Sequence, residues 1–502
     1  MTISLKELIA ELEHPLVEGS LAVEVNSVTA DSRLVGPDSL FVAVRGHELD
    51  GRQFIGAAVS AGAAAVVSET PRESGDSKEV PWIQVGNARR ALSALAAKLA
   101  DHPSKALKLV GVTGTNGKTT TGFLCHHLLK THWHRAGLLG TVMMDDGESQ
   151  HVAGHTTPDA VMLQRVLARM VDHGCRGASL EVSSHGIDQD RVADVFFDAL
   201  VFTNLSQDHL DYHRTMANYF DCKASWFERA GREPGGKKPT AIVNADDAYG
   251  DELIGRLDGV LPMIRYGFSV QTEMRALDFH HTNHGLEVKV TFQGKQYLVR
   301  APLIGRFNVY NILAALAAAK AVGVPMRAAV AAMANAPQVP GRLEHCGTRE
   351  SVAVYVDYAH TPAALDHVCE TLKQLQPTRL ITVFGCGGDR DRSKRAKMGA
   401  VAARHSDACI ITTDNPRHED PENIMDQIES GMKHAHYQRV TDRAEAIRIA
   451  VHAANRGDIV LIAGKGHETY QQVGGEKFDF DDRKEAKRAL NERPPETVTE
   501  RQ

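Results

Sequence analysis

The sequence lacks an apolar run long enough for a membrane-spanning helix, because no stretch approaches about 18 consecutive apolar residues. The 502 residues carry a net charge of −6, so the basic excess typical of nucleic-acid-binding proteins is also missing. The seven cysteines are scattered and form no C-x-x-C pair, which favours reduced thiols over a disulfide framework or a zinc site. The first residues, MTISLKELIAELEH, carry charges where a signal peptide would have an apolar core. These absences predict a cytoplasmic protein that binds no nucleic acid and is not inserted in a membrane.

The length and pattern of the chain predict an α/β protein with three domains and a short tail. A prior of about 150 residues per domain suggests three cores. Residues 1–90 are typical of a small α/β domain, and residues 91–338 alternate strand and helix around a mainly parallel sheet with helices on both faces. Two prolines within four residues of the stretch PQVPGRLE mark a linker at the boundary with a third alternating domain at 339–490. Residues 491–502 are polar and proline-bearing, which predicts disorder.

The stretch VGVTGTNGKTTT, residues 110–121, is the element around which the central domain is organised. An apolar strand pattern stops at a glycine-rich turn, and a helix pattern starts at Lys118. Such a junction forms a phosphate cradle, because backbone N–H groups approach the anion and the helix N-terminus adds partial positive charge. Lys118 can reach the outer phosphates of a nucleotide, and the Thr119 hydroxyl can ligate Mg²⁺. The Walker spacing is imperfect, since a valine stands where the first glycine is expected, so an ordinary glycine-rich turn stays an alternative.

Polar side chains follow several strands of the central domain, at 178–182, 199–203 and 241–243. Glu181 closes the first of these strands, and His209 lies in the NLSQDHLDYH stretch after the second. Ligands of open α/β sheets bind at the carboxyl ends of the strands, so these side chains predict an active-site edge.

A second such edge is predicted in the C-terminal domain. Apolar strands are expected at 352–356, 380–384, 408–412 and 459–463, and each leads into a polar motif, in order DYAHT, GCGGDRDR, DNPR and GKGHE. Within the central domain, GLEVKVTF and KQYLVRAP alternate apolar and polar residues around Gln293-Gly294, which predicts an antiparallel hairpin appended to the main sheet.

The motifs and their order resemble the Mur ligase family. The resemblance runs from about residue 25 to about residue 485 and rests on TGTNGKTT, HTTPD, EVSSHGIDQDR, NLSQDHLDYH, YFDCKASWF, RFNVYN, PGRLE, DYAHTP, GCGGDRDR, DNPR and GKGHE. It implies a central P-loop ATPase domain between a small UDP-sugar-binding domain and a Rossmann-like C-terminal domain that binds the amino acid. It further implies an ADP-forming, amide-forming ligase of peptidoglycan assembly, expected to be a monomer. Its substrates would be ATP, UDP-N-acetylmuramoyl-L-alanyl-D-glutamate and meso-diaminopimelate, with Mg²⁺ as cofactor.

The chemistry implied by the resemblance assigns catalytic and metal-binding residues. ATP would convert the D-glutamyl carboxylate into an acyl phosphate, which the amine attacks, so negative charge accumulates in both steps. The catalytic residues implied are Lys118, Lys223 and His209, and the metal ligands are Thr119, Glu181, His209 and Lys223. Lys223 would act as a carbamate, because a hard cation prefers oxygen ligands and repels an ammonium. Without the resemblance, Lys223 would be an ordinary helix lysine.

The resemblance also implies which residues contact ATP and the UDP-linked substrate. For ATP they are Gly114, Thr115, Asn116, Gly117, Lys118, Thr119, Thr120, Asn311, Arg342 and Asp357. For the UDP-muramoyl dipeptide they are Ser32, His47, Glu48, Leu49, Thr156, Thr157, Ser183, Gln189 and Arg191. Without the resemblance, Asp31, Ser32 and Arg33 could be only a turn with a surface charge pair.

The third substrate is implied by the DNPR and GKGHE motifs. Diaminopimelate would contact Arg390, Asp414, Asn415, Pro416, Arg417, Gly464 and Glu468. In the family the arginine of DNPR meets the distal carboxylate of this amino acid. A planar guanidinium forks onto a carboxylate, whereas a lysine substrate would present only another cation. Glu468 suits an ammonium group. Taken alone, DNPR could be an Asx-Pro turn on the surface.

Two rival functions stay open at this point. A folylpolyglutamate synthetase shares the loop and the acyl-phosphate chemistry, but neither the N-terminal DSR…LFVA…GH segment nor DNPR is expected in it. A non-catalytic Mur-like scaffold is the second rival. The intact Lys118, Thr119, Lys223 and Arg417 argue against a scaffold.

Overall fold

The computed structural model describes residues 2–46, 49–152, 154–232, 236–282, 285–433 and 435–493. The chain forms two compact units. The first unit comprises residues 1–278, 288–299 and 310–336, and the second comprises residues 279–287, 300–309 and 337–502. The predicted domain boundaries near residues 90 and 338 stay predictions.

The N-terminal part of the first unit is a small parallel sheet flanked by helices. Its elements are β1 (Ile3–Ser4), α1 (Leu5–Leu8), β2 (Leu16–Glu18), β3 (Glu24–Val25), β4 (Ser27–Thr29), β5 (Ser39–Val42), α2 (Ile55–Ser60), β6 (Ala63–Ser68), β7 (Trp82–Gln84) and α3 (Ala88–Leu99). The sheet order is β2-β7-β6-β5-β4, and β4 to β7 run parallel. Helix α3 begins where the Asn87 side chain accepts from the Arg90 N–H. Its apolar residues at helical spacing, Ala88, Leu92 and Leu95, are buried.

The central α/β part of the chain, which belongs to the first unit except for residues 279–287 and 300–309, confirms the mainly parallel sheet. Its elements are β8 (Lys108–Thr113), α4 (Lys118–Trp133), β9 (Gly137–Leu139), β10 (Met143–Asp145), β11 (Gln150–Val152), α5 (Ala160–Asp172), β12 (Gly177–Glu181), α6 (Ser184–Asp188), β13 (Ala199–Phe202), α7 (Leu210–His213), α8 (Met216–Arg232), β14 (Thr240–Asn244), α9 (Ala248–Leu257), β15 (Met263–Gly267), β16 (Met274–Thr282), β17 (Gly285–Phe292), β18 (Lys295–Ala301), α10 (Arg306–Ala321) and α11 (Met326–Met333). The sheet order is β11-β10-β9-β12-β8-β13-β14-β15-β16-β17-β18. The strands from β9 across to β16 in this order run parallel.

Helices cover both faces of this central sheet. Leu109 and Phe202 belong to a buried cluster with apolar residues of α5, α8 and α9. On the opposite face, Ser179 and Glu181 lie close to Gly122 of α4. Because β8, β12 and β13 run parallel, their carboxyl ends and the residues that follow them meet at one edge.

The predicted hairpin is confirmed as β17 and β18. Gln293 and Gly294 connect the two strands with φ of 49° and 72°, and positive φ at both central residues is typical of a type I′ hairpin turn. Strand β16 precedes the hairpin in the sheet and was not expected. Its sequence MRALDFHHT is apolar and buried only at the start, so it carries weak strand alternation.

The second unit confirms the strands predicted for the C-terminal domain. Its elements are β19 (Glu344–Arg349), β20 (Val352–Asp357), α12 (Pro362–Lys373), β21 (Leu380–Phe384), α13 (Lys394–His405), β22 (Ala408–Ile411), α14 (Pro421–Glu429), β23 (Tyr437–Arg439), α15 (Arg443–Ala453), β24 (Ile459–Ala463), β25 (Tyr470–Val473), β26 (Glu476–Asp479) and α16 (Asp482–Glu492). The sheet order is β19-β20-β24-β21-β22-β23, and only the edge strand β19 pairs antiparallel in this described sheet. Strands β25 and β26 form a separate hairpin.

The tail predicted at 491–502 lies mostly outside the described residues. Asn491 and Glu492 close helix α16, and residues 494–502 are not described. In the part of the chain that the structure does describe, none of the helices has the length and apolarity needed to cross a bilayer.

Gly111 in β8 allows two aromatic rings to pack on the central sheet. A Cβ at this position would lie 2.6 Å from Trp226 Cη2 and 2.8 Å from Phe197 Cε1. The two rings meet edge to face at 5.2 Å, so neither can withdraw without disturbing the other.

We predict that Gly111→Ala lowers the free energy of unfolding of the first unit by about 1 to 3 kcal/mol, because it overpacks a buried contact. Urea unfolding followed by tryptophan fluorescence measures this unit alone, since Trp82, Trp133 and Trp226 all belong to it. Gly56→Ala is the control, because nothing lies within 4 Å of its Cβ position. An equal midpoint for Gly111→Ala and wild type would contradict the packing argument.

Candidate functional site

The glycine-rich loop between β8 and α4 is fixed to the residues that follow β13. Thr115 N donates to Asn204 O at 2.9 Å, and Asn116 N donates to Asn204 Oδ1 at 2.9 Å. In return, Thr203 Oγ1 donates to Asn116 O at 2.6 Å. Thr203 and Asn204 were not singled out from the sequence, although their place directly after a buried strand was the available signal. These bonds hold the loop open as a cradle.

The end of the cradle depends on a glycine and on the neighbouring helix α10. Gly117 has a φ of 85°, a left-handed conformation that favours glycine, and a Cβ there would lie 2.5 Å from Asn311 Oδ1. Thr121 Oγ1 donates to the same Asn311 oxygen at 3.2 Å. Lys118 Nζ donates to the carbonyls of Gly114 at 2.9 Å and Thr115 at 2.8 Å. The structure therefore brings Asn311 and the loop residues together, as the resemblance implied.

Glu181 provides a buried carboxylate beside the start of α4. Its side chain accepts from Thr119 Oγ1 at 2.9 Å, from Thr141 N at 2.9 Å and from Thr141 Oγ1 at 3.0 Å. The residue is only 1% exposed. A buried carboxylate beside a hydroxyl oxygen is a donor set that suits a hard cation such as Mg²⁺.

Lys223 of α8 is buried against the same loop. Its Nζ lies 3.2 Å from Thr113 Oγ1, 3.2 Å from Gly114 O and 4.8 Å from the centre of the Tyr219 ring. Among the described residues, none forms a carboxylate ion pair with it. Burial, and then the positive charge of Lys118, hold the pKa of Lys223 well below its ordinary value. The neutral amine is therefore more readily formed at Lys223 than at an exposed lysine.

His209 lies at the start of α7, next to the aromatic side chains of this region. Its ring centre is 6.3 Å from that of Tyr219 and 5.0 Å from that of His185. Tyr219 in turn lies 3.3 Å from Thr115 Oγ1 through its hydroxyl. The Tyr219 ring thus lies beside both His209 and Lys223.

The residues implied for the muramoyl dipeptide form one hydrogen-bonded group. Thr157 Oγ1 accepts from Ser183 N at 2.9 Å. Arg191 donates to Thr157 O at 2.7 Å and, through Nη2, to Gln189 Oε1 at 2.7 Å. Thr156 Oγ1 lies 3.0 Å from Thr141 Oγ1. Because Thr141 donates hydrogen bonds to Glu181, this contact links the group to the Glu181 carboxylate.

The residues implied for uridine diphosphate lie in the N-terminal part of the first unit. Ser32 starts a short 3₁₀ turn, and Asp31 and Arg33 form an exposed ion pair at 2.6 Å. Leu49 is 59% exposed. His47 and Glu48 lie outside the described residues.

Arg342 and Asp357 lie together in the second unit. Asp357 accepts from Leu343 N and from Ala359 N, both at 2.7 Å. Burial raises the pKa of Asp357 to about 6, against the opposing charge of Arg342. The Arg342 guanidinium stacks 4.8 Å from the centre of the Tyr358 ring.

The DNPR and GKGHE motifs meet at the carboxyl ends of β22 and β24. Asn415 Nδ2 donates to Glu468 Oε2 at 2.8 Å. Arg417 has a φ of 51°, and its Nη1 donates to Gly388 O at 2.7 Å. The cluster therefore combines a carboxylate and a guanidinium.

Glycines let the remaining members of this cluster approach each other. A Cβ at Gly387 would lie 3.0 Å from Arg417 Nη1 and 3.9 Å from Arg390 Cγ, so both arginines border this glycine. Gly464 has a φ of 118°, and its Cβ position lies 2.7 Å from Asp414 Oδ2. Pro416 accepts a hydrogen bond from Glu419 N at 3.0 Å. All the residues predicted for diaminopimelate are thus brought together, with roles that stay predictions.

Sequence reasoning missed a buried ion pair beneath this cluster. Arg443 and Asp482 are both fully buried, and Arg443 Nε donates to Asp482 Oδ1 at 2.7 Å. Arg443 also donates to Thr413 O at 3.3 Å and to Ala463 O at 3.0 Å. The arginine thereby ties together the ends of the two strands that lead into DNPR and GKGHE. No sequence signal marked this pair, because its members lie on separate helices.

A phosphate cradle at a parallel-sheet edge, beside a buried carboxylate and a buried amine, defines a nucleotide-dependent α/β enzyme. Three family models match the chain: "Mur ligase family, catalytic domain" at 24–99, "Mur ligase middle domain" at 112–319 and "Mur ligase, glutamate ligase domain" at 341–466. The chain belongs to the Mur ligase family, which confirms the expectation drawn from its motifs.

Curated relatives match nearly the whole chain. A protein of Geobacillus kaustophilus named UDP-N-acetylmuramoyl-L-alanyl-D-glutamate--2,6-diaminopimelate ligase is 41% identical over 473 residues, or 94% of this chain and 96% of the relative. A protein of the same name from Thermosynechococcus vestitus is 44% identical over 490 residues, or 96% of this chain and 95% of the relative.

Solved structures agree with the fold. A structure titled with the same ligase name has a TM-score of 0.72 at 34% identity and covers 98% of this chain and 99% of its own. The folylpolyglutamate synthase of Mycobacterium tuberculosis has a TM-score of 0.61 at 20% identity and covers 80% of this chain and 95% of its own, which shows a shared fold alone. The three-domain α/β fold class is confirmed.

His185 gives this region a testable pH dependence. Its ring lies 4.2 Å from Tyr212 and 5.0 Å from His209, centre to centre. Burial, and then the positive charge of His209 and His213, lowers the pKa of His185 to about 4. The unfolded chain binds a proton here below about pH 6.5, and the folded chain binds it only near pH 4. The free energy of unfolding therefore falls as the pH drops through this window.

We predict that His185→Gln flattens this pH dependence, because glutamine does not titrate. Urea unfolding of the first unit, followed by tryptophan fluorescence at pH 7 and pH 5, measures the effect. His151→Gln, which changes an exposed side chain, should follow the wild-type values. If His185→Gln lost as much stability as wild type between the two pH values, the lowered pKa of the half-buried His185 would be refuted.

Proposed function

We propose that this chain is an ATP-dependent ligase that joins meso-diaminopimelate to UDP-N-acetylmuramoyl-L-alanyl-D-glutamate. Diaminopimelate is proposed as the amine substrate because Arg417, Asn415 and Glu468 lie together in one cluster. The distal end of meso-diaminopimelate carries a carboxylate and an ammonium, which match a guanidinium and a carboxylate. The distal end of L-lysine has only the ammonium and would leave Arg417 without a carboxylate partner. The relatives named above act, by their names, on the same pair of substrates.

The reaction follows from the charges that it creates. The D-glutamyl carboxylate attacks the γ-phosphate of ATP, ADP leaves, and an acyl phosphate forms. The amine of diaminopimelate then attacks the acyl carbon, loses a proton, and phosphate leaves. Lys118, which is already held in place by two carbonyls of the loop, stabilises the negative charge of the phosphates.

Mg²⁺ fits the first unit of this chain. Thr119 and Glu181 supply oxygen ligands that already face each other at 2.9 Å, and we assign His209 and carbamylated Lys223 to the same ligand set. When bound, Mg²⁺ neutralises charge on the transferred phosphoryl group.

The surroundings of Lys223 support its carbamylation. Only a neutral amine attacks CO₂, forming an N–C bond and releasing one proton, and burial holds the pKa of Lys223 low. The product is a carboxylate-like group, which replaces a buried amine by an oxygen ligand. The carbamate also gives Lys118 an opposite charge nearby.

We assign the remaining predicted residues to substrates on the same grounds. Thr157, Ser183, Gln189 and Arg191 form one bonded group in the first unit and would hold the dipeptide, with Ser32 and Leu49 toward the uridine. Asn311 completes the ATP cradle of the first unit. Arg342 and Asp357, which lie in the second unit, are also assigned to ATP. A monomer and a cytoplasmic location stay predictions.

Phosphate release is the test of this function. Purified protein receives ATP, Mg²⁺ and UDP-N-acetylmuramoyl-L-alanyl-D-glutamate, with either meso-diaminopimelate or L-lysine as the amine. We expect release that depends on diaminopimelate. Release with lysine alone would keep the ligase and reject the specificity argument, and no release with either amine would reject the function.

We predict that Lys223→Ala reduces kcat at least about 100-fold, because the variant loses the proposed metal ligand. Added bicarbonate should not restore activity. Lys237→Ala is the matched control, since Lys237 is also partly buried but pairs with Asp198 at 2.6 Å. Wild-type turnover by Lys223→Ala would exclude the lysine from the reaction.

We predict that Arg417→Ala raises the KM for diaminopimelate at least about tenfold, because a charged hydrogen-bond pair is lost. The KM for ATP should change little. Arg404→Ala serves as control, since Arg404 is an exposed arginine of the second unit that pairs with Asp366. An unaltered KM for diaminopimelate would remove Arg417 from the pocket.

A further inference from the structure

Lys465 of the GKGHE motif is fully buried, and none of the roles described above uses it. Its Nζ donates to Asn415 Oδ1 at 2.9 Å and to Glu468 Oε2 at 3.2 Å. The ring of Tyr470 lies 5.4 Å away, centre to ammonium. Breaking the hydrogen bonds of a buried ammonium to a carboxylate and an amide costs free energy, so these two neighbours are held in place.

Lys465 and the backbone N–H of Gln472 together determine which way the Asn415 amide points. An ammonium only donates, so the atom that faces it must be the amide oxygen. Gln472 N donates to the same oxygen at 2.9 Å. The amide nitrogen is thereby turned toward Glu468, where Nδ2 donates to Oε2 at 2.8 Å.

The two oxygens of the Glu468 carboxylate have different contacts. Oε2 accepts from both Asn415 and Lys465, whereas Oε1 accepts no hydrogen bond from the described residues. The Glu468 side chain is 18% exposed, while that of Lys465 is not exposed at all. One oxygen therefore faces the buried lysine, and the other stays available at the surface of the pocket.

We propose that Lys465 is a positioning residue for the amino-acid substrate. Its buried ammonium fixes Asn415 and one oxygen of Glu468, so that the other oxygen receives the ammonium group of the incoming amino acid. This proposal rests on the proposed function of the pocket and names a residue that sets its geometry. Lys465 acts through Asn415 and Glu468 and does not itself touch the substrate.

Steady-state kinetics of Lys465→Met tests the proposal. Methionine keeps most of the side-chain volume and removes both hydrogen bonds. The KM for meso-diaminopimelate should rise at least about tenfold, and the KM values for ATP and for the UDP-dipeptide should stay within about twofold. Lys465→Gln, which keeps a donor without the charge, should recover part of the affinity. Lys373→Met, the same change at an exposed lysine of the second unit, should match wild type.

A double-mutant cycle separates positioning from general stability. If Lys465 acts through Glu468, adding Lys465→Met to Glu468→Gln should raise the KM for diaminopimelate little further, whereas independent effects would multiply. Thermal unfolding of each variant shows whether the second unit still folds.

The proposal is overturned by any of several results. These are an unaltered KM for diaminopimelate, an equal rise for all substrates, multiplicative effects in the cycle, or failure of both Lys465 variants to fold. A wild-type protein that releases no phosphate with diaminopimelate would instead reject the proposed function. The two failures are therefore distinguishable.

Discussion

An amine buried without a carboxylate partner is the constraint on which the first unit depends. Lys223 contacts a hydroxyl and the Gly114 carbonyl, and Lys118 donates to the same carbonyl. Burial, and then repulsion by the positive charge of Lys118, lowers the pKa of Lys223 and so favours its neutral amine. The proposed carbamylation would resolve this conflict, because it would turn the Lys223 amine into an anion beside the Lys118 ammonium. The phosphate cradle and the proposed metal ligands would then belong to one electrostatic arrangement.

The second unit uses a buried lysine in the opposite way. Lys465 is as deeply buried as Lys223 but has the Glu468 carboxylate and the Asn415 amide as partners. A buried ammonium with such partners directs the orientation of its neighbours. The presence or absence of one carboxylate therefore separates a lysine suited to covalent modification from a lysine suited to positioning. Arg443, paired with Asp482, supports the same pocket because it donates to carbonyls at the ends of β22 and β24.

Much of the fold could be predicted from sequence, because buried parallel strands are continuous apolar runs that stop at polar motifs. The glycine-rich loop, Glu181 and the DNPR pocket lie at such strand ends as expected. The missed features, such as the Thr203 and Asn204 brace, β16 and Lys465, depend on contacts between distant segments or on weak alternation. A lysine inside GKGHE looks like a solvated charge until the structure shows it buried. The roles taken from the family resemblance could not come from pattern alone.

The central claim is that Lys223 reacts with CO₂ because it is buried and unpaired by a carboxylate. Carbon-13 NMR of the wild-type protein equilibrated with ¹³C-bicarbonate tests this claim most directly, with Lys223→Ala as reference. The account predicts a carbamate resonance in wild type that is absent from Lys223→Ala. A catalytically active wild-type protein without this resonance, or the same resonance in both proteins, would contradict it.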